Sequence, residues 1–228
     1  DLAQLRKFDR VASRLKAAGG VASLQKDHKR DFPDITKIQQ SVKTVAGDDK
    51  AANPHAGWSA LHLAAWRGQM PLIQALVAKG DDINGLGPEG FTPLGRAVWQ
   101  GQEEAVQFLL AKGADPNLSG EKNPTPLQLA ARGNHLKLTE ALLDKGARIN
   151  VADEDGITAL HHAVTNKNRE MAARLLYQGA DPNARGVDGV TPLILAVGNR
   201  QPMIVRTLLN RGASVDKTDE KGHSPLYY

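Results

Sequence analysis

The chain has 228 residues, 41% of them hydrophobic and 24% charged, a net charge of +4 and no cysteine. That length and apolar content suit a folded chain with its own core rather than a disordered one. The missing thiol excludes disulfides, thiol catalysis and cysteine-based zinc sites, and no apolar run approaches the ~18–20 residues that span a bilayer.

Charge divides the chain. Residues 1–56 hold 11 Lys/Arg against 7 Asp/Glu, whereas residues 57–228 hold 18 of each. A nucleic-acid binder carries its excess of cations on a folded face. The larger part is neutral, so nucleic acid is not an expected partner. The compartment is open: lack of cysteine fits any, and a leader removed before Asp1 would make it periplasmic or secreted rather than cytoplasmic.

At the N-terminus Leu2, Leu5, Phe8, Val11 and Leu15 recur at helical spacing and stop at Gly19-Gly20. Between them lie Arg6, Lys7, Arg10, Arg14 and Lys16. A basic amphipathic helix over residues 1–18 could rest on a membrane surface, but packing of its apolar side on the next unit is the preferred reading. Ile35, Ile38, Val42 and Val45 then suggest a second helix, and Gly47-Asp48-Asp49 lies 33 residues before Gly80-Asp81-Asp82. Residues 1–56 are therefore expected to form a helical segment and degenerate cap, with Pro54 marking the linker.

From Gly57 onward the chain repeats every 33 residues. Gly57, Gly90, Asn123, Gly156, Gly189 and Gly222 share one phase, and Leu61, Leu94, Leu127, Leu160, Leu193 and Leu226 another, without insertion or deletion. Ser59 and Thr92, Thr125, Thr158 and Thr191 fit helix N-caps, and Pro93, Pro126 and Pro192 fit the first helical turn, where a missing N–H costs nothing. Small pairs such as Ala64-Ala65 and Ala130-Ala131 allow close stacking. A second helix carries Leu72, Ile73, Leu76 and Val77 as one apolar stripe, with counterparts down to Leu208 and Leu209. Gly80, Gly113, Gly146, Gly179 and Gly212 end these helices. A polar loop with Asn84, Asn117, Asn150 or Asn183 leads onward. No unit buries its stripe alone, so the units must stack. Leu226-Tyr227-Tyr228 falls inside the first helix of a partial sixth unit.

With Ser59-Ala60-Leu61-His62-Leu63-Ala64-Ala65 and Gly113-Ala114-Asp115-Pro116-Asn117 in phase, the sequence resembles the ankyrin-repeat family over residues 57–228. The resemblance implies an all-α solenoid of helix-turn-helix units with projecting hairpin-like loops. It also implies a protein-binding module without catalytic machinery, cofactor or small-molecule substrate, and histidines at positions 62 and 161 that bond to loop backbone.

Other constellations point away from chemistry. His161-His162 are adjacent and face apart on a helix, so a metal site is not expected. Asp153-Glu154-Asp155 lacks the alternation of a calcium loop, and Gly85-Leu86-Gly87-Pro88-Glu89-Gly90 has no strand before it and reads as a turn, not a phosphate cradle.

In the family the residues flanking the first Gly and those after the small pair are free to vary. Here they are Trp58, Trp66, Arg67, Phe91, Trp99 and Gln100, holding all three tryptophans of a chain with ten aromatic residues. The resemblance places them on an exposed face. Trp66 and Trp99 are one period apart and are expected to stack as a ladder continued by Arg132. Gly95-Arg96 replaces His62-Leu63, and Arg96 is expected to reach the surface and meet an acidic group. Trp and Arg are enriched at interface hot spots, so these eight residues form a candidate partner-binding patch. The competing reading is that the N-terminal segment folds over the aromatics. Either the patch serves a binding or inhibitory module, or the chain targets a larger enzyme or effector.

Overall fold

A computed structural model describes residues 57–228 of the chain. The expected basic helix, degenerate cap and linker of residues 1–56 lie outside the described residues.

The described residues form ten α-helices and no β-strand. They pair as α1 (Ala60–Arg67) with α2 (Met70–Lys79), α3 (Pro93–Trp99) with α4 (Glu103–Ala111) and α5 (Pro126–Arg132) with α6 (Leu136–Asp144). The array continues with α7 (Ala159–Thr165) and α8 (Arg169–Tyr177), then α9 (Pro192–Gly198) and α10 (Pro202–Asn210). The first helix of each pair starts where a hydroxyl satisfies an orphan N–H. Thr92 Oγ1 accepts from Gly95 N at 3.0 Å, Thr191 Oγ1 from Ile194 N at 3.3 Å, and Pro93, Pro126 and Pro192 occupy the first turn. The second helices end at glycines in the left-handed region, such as Gly80 at φ 94° and Gly113 at φ 91°.

First helices stack side by side in the order α1, α3, α5, α7, α9, and second helices pack behind them, α2 on α4, α4 on α6 and α8 on α10. Each pair therefore touches only its neighbours. Ala64, Ala97, Ala130, Ala163 and Ala196 are fully buried between first helices, and Leu76, Leu109 and Leu142 between second helices. One continuous core runs through all five pairs.

Between the helices of a pair the chain turns through one left-handed residue. Gly68 and Gly101 take it in the first two pairs, but Asn134 (φ 62°), Lys167 (φ 56°) and Arg200 (φ 55°) take it in the others. At the far end Met203, Leu209 and Val215 are exposed, while Tyr228 donates to the Asp219 carboxylate at 2.7 Å and His223 stacks on Tyr227 at 3.7 Å.

Candidate partner-binding face

The loops that link successive pairs are pinned by a column of asparagines. Asn84, Asn117, Asn150 and Asn183 each accept through Oδ1 from a backbone N–H of the following unit, those of Asp115, Arg148, Asp181 and Ser214, at 2.7–2.9 Å. Asn117, Asn150 and Asn183 also donate through Nδ2 to the carbonyls of Gly146, Gly179 and Gly212. In Asn117, Asn150 and Asn183 both ends of the amide are used, which fixes where those loops leave the stack. The column was visible in the sequence as a period. Its bridging role was not, because an amide's partners depend on where the next unit lies.

Loop tips are closed by single backbone bonds, Gly87 N to Phe91 O at 2.9 Å and Gly186 N to Val190 O at 2.9 Å among them. These give the hairpin-like projection without a strand ladder. The run Gly85–Gly90 is such a turn. At the acidic tip, Asp153 Oδ1 accepts from Asp155 N and Ile157 N, so that carboxylate shapes its own loop.

The histidines tie helices to these loops, as the resemblance implied. Ser59 Oγ donates to His62 Nδ1 at 2.7 Å, and His62 Nε2 donates to Phe91 O at 3.0 Å. Thr158, His161 and Val190 repeat the arrangement at 2.9 and 3.3 Å. Burial pushes both imidazoles below their ordinary pKa of 6.5, so each is held neutral with its proton on Nε2. In the third pair Gln128 does the same work, donating through Nε2 to Ile157 O at 2.7 Å. Among the described residues no cluster of His, Cys, Asp and Glu could hold a metal ion.

The second pair breaks this pattern. Gly95 stands at the histidine position and offers no side chain. The loop after this pair is tied instead to the loop before it, by Asn123 Nδ2 donating to Glu89 O and Gly120 N to Gly90 O, both at 2.7 Å. Arg96 follows at the position Leu63 holds in the first pair. Its guanidinium carbon lies 3.9 Å from the Trp58 ring centroid, 4.6 Å from that of Phe91 and 6.0 Å from that of Trp99, and it forms an ion pair with Glu89. A weakly hydrated planar cation is well suited to such a box of ring faces.

Several expectations about this face need correction. Trp58 and Phe91 were expected to be exposed but are 8% and 7% accessible, and both rings face the Arg96 guanidinium. Arg96 does meet an acidic group, yet it does so inside the protein, 5% accessible, and the group is its own Glu89. Trp66 and Trp99 do not stack on one another. Trp66 packs edge-on to Trp58 with centroids 6.0 Å apart, and Trp99 edge-on to Phe91 at 5.3 Å. Packed helices sit ~8–10 Å apart, too far for rings one period apart to touch face to face, and edge-to-face contact within a unit satisfies the ring quadrupoles. What reaches solvent is Trp99, 46% accessible, with Gln100 and Arg132 exposed beside it and Trp66 and Arg67 half-buried. Coverage of this face by the N-terminal segment falls outside the described residues.

A family model for ankyrin repeats in three copies matches residues 34–120 and again 118–186, and one for a single ankyrin repeat matches residues 188–220. The first match begins ahead of Gly57. No curated protein matches the chain.

Proposed function

The chain belongs to the ankyrin-repeat family, whose arrays are generally protein–protein interaction modules, and from that premise we propose that it binds a partner protein through the face built around Trp99. Trp58, Trp66, Phe91 and Arg96 set the shape of that face, while Arg67, Trp99, Gln100 and Arg132 touch the partner. Binding there could block a partner's functional surface, so inhibition belongs to the same proposal.

One observation carries the reading. Trp99 leaves nearly half its surface in water although an aromatic neighbour and a buried cation fix its ring. An indole held rigid and left wet loses little entropy on docking and contributes a large apolar area. Trp66→Ala/Trp99→Ala, tested against a partner isolated by cross-linking capture from the native source, should weaken binding by about 2 kcal/mol or more. Unchanged binding, or a loss matched by an equal fall in thermal stability, refutes the reading.

A further inference from the structure

The asparagine column has one member unlike the others. Asn84 accepts through Oδ1 from Asp115 N at 2.9 Å, but its Nδ2 has no hydrogen-bond partner among the described residues. Asn117, Asn150 and Asn183 commit that nitrogen to the carbonyls of Gly146, Gly179 and Gly212. The residue that follows differs too. Leu118, Val151 and Ala184 follow the other three, whereas Gly85 follows Asn84 and makes the one Asn-Gly pair in the chain. Both residues are half-buried, in a loop whose Leu86, Pro88 and Glu89 are exposed.

These differences meet in one reaction. The main-chain nitrogen after an asparagine can attack that asparagine's own side-chain carbonyl carbon, and a Cβ on the following residue crowds the approach. Gly85 has no Cβ, and its N–H is loosely held, with Gly85 N 3.4 Å from Asp82 O. The Asp115 N–H points at Asn84 Oδ1, the oxygen on which negative charge develops as the new bond forms, and so stabilises that step as an oxyanion-hole donor does. Nδ2 is the leaving nitrogen. At Asn84 it has no hydrogen bond to give up, while at Asn117, Asn150 and Asn183 it would have to surrender one.

We propose that Asn84 is a site of spontaneous deamidation in the folded chain, and that its conversion unties the loop after pair one from the loop after pair two. Hydroxide takes the Gly85 N–H proton and Gly85 N bonds to Asn84 Cγ. The Cγ–Nδ2 bond breaks and ammonia leaves with a proton from water, which regenerates hydroxide and closes a cyclic imide. Water then opens the imide at either carbonyl, so that overall water enters and ammonia leaves. Opening at the side-chain carbonyl gives aspartate. Opening at the main-chain carbonyl gives isoaspartate, whose main chain runs through the former side chain and is longer by a methylene. That rearrangement withdraws the acceptor from Asp115 N. The loosened loop carries Glu89 and Phe91, the contacts of Arg96 and Trp99, so the modification reaches the exposed face.

The test is incubation of the full chain in mildly alkaline buffer without denaturant, followed by peptide mass spectrometry with isoaspartate located by electron-transfer fragmentation. Asn84 should convert roughly tenfold or more faster than Asn117, Asn150 and Asn183 in the same sample. The Asp115 amide should lose its protection from hydrogen exchange as isoaspartate accumulates. Gly85→Ala restores the crowding and should leave Asn84 intact. Gly85 lies outside the left-handed region, and a Cβ there comes nearest to Asp82 Oδ2, at 3.3 Å, so the variant should fold, as its Tm checks. The comparison among asparagines of one chain decides the matter whatever that variant's stability. Conversion of Asn84 no faster than its counterparts overturns the site, as does conversion confined to urea-unfolded chain or equal in a folded Gly85→Ala. Isoaspartate at position 84 with the Asp115 amide still protected overturns the released tie.

Discussion

Arg96 separates what holds the stack together from what shapes its face. Truncation by Arg96→Ala removes two ring contacts, each worth about 1 kcal/mol in a partly desolvated setting. It also removes two buried methylenes, together about 1.6 kcal/mol. The ion pair with Glu89 adds less than about 1 kcal/mol, because that carboxylate side chain is 50% accessible and water screens it. Against this, Arg96 Nε is buried without a hydrogen-bond partner, and removing an unsatisfied donor returns about 1–3 kcal/mol. The balance for Ala is a loss of about 2 kcal/mol, with any unfilled cavity adding to it. Arg96→Leu keeps the apolar volume and discards the orphaned donor, and leucine occupies the equivalent position at Leu63, Leu129 and Leu195. It should fall within about 1 kcal/mol of the parent or exceed it, as when a buried charge is replaced by a well-packed apolar residue. Urea unfolding of the two variants followed by far-ultraviolet circular dichroism measures the difference. A Leu variant as unstable as the Ala variant would refute the reasoning, since it would mean that the cation itself, and not its volume, holds Trp58 and Phe91 together.

Two further outcomes follow from the backbone and the buried imidazoles. Lys167→Gly and Arg200→Gly each relieve a left-handed residue that costs ~1–2 kcal/mol, against ~0.5–1 kcal/mol of unfolded-chain entropy. Each should raise stability by about 0.5 kcal/mol, read as a small rise in Tm; Gly101→Ala should lower it, because a Cβ there would stand 2.7 Å from His135 Cε1. Since burial depresses the folded pKa of His62 and His161, the unfolded chain takes up protons near pH 6.5 while the folded chain resists them. That stability is fully present above about pH 6.5 and is lost as pH falls through the lowered folded values. Thermal melts from pH 7 to pH 5 should show the decline, and His62→Gln/His161→Gln, copying Gln128, should reduce it, leaving the part due to His162, which burial also lowers; an equally steep decline in that variant would remove His62 and His161 as its cause.

The stack was legible because its cause is periodic. Leu76, Leu109 and Leu142 fall on one phase, no single pair can cover them, and stacking is the one arrangement that buries all three. The face was less legible because its cause is local. Positions 58 and 91 are exposed or buried according to what lies beside them, and the sequence gives Arg96 as a charged residue without saying that Trp58 and Phe91 close around it. A leucine pattern identifies position 96 as inward-facing, and that signal, taken over the residue's charge, would have predicted the buried guanidinium. The column Gly68, Gly101, Asn134, Lys167, Arg200 hides its constraint differently. Two glycines and an asparagine signal a left-handed residue, but lysine and arginine do not, and only the register carries the inference to them.

The departures at Gly95 and Arg96 are tolerated for a reason that lies in the architecture. In a linear stack each interface needs some tie between helix and loop, not one particular tie. Pairs one, three and four use a side chain from the first helix, His62, Gln128 and His161. Pair two uses Asn123 and Gly120 of the loop that follows it, bonded to the loop that precedes it. Pair five has Ile194 at the position and relies on Arg185 donating to Thr218 O at 2.9 Å and Glu220 N to Asp188 O at 2.8 Å. Once the loops carry the tie, the helix position is released from that duty. In pair two Phe91 lies beside the released position, its Cδ1 3.6 Å from where a Cβ on Gly95 would stand, which is ordinary contact distance, so only a side chain longer than alanine would press on it. Phe91 so placed is what holds Trp99 edge-on and half in water. Restoring the repeat with Gly95→His would press an imidazole on Phe91 and so alter the face while supplying the stack with a tie it already has.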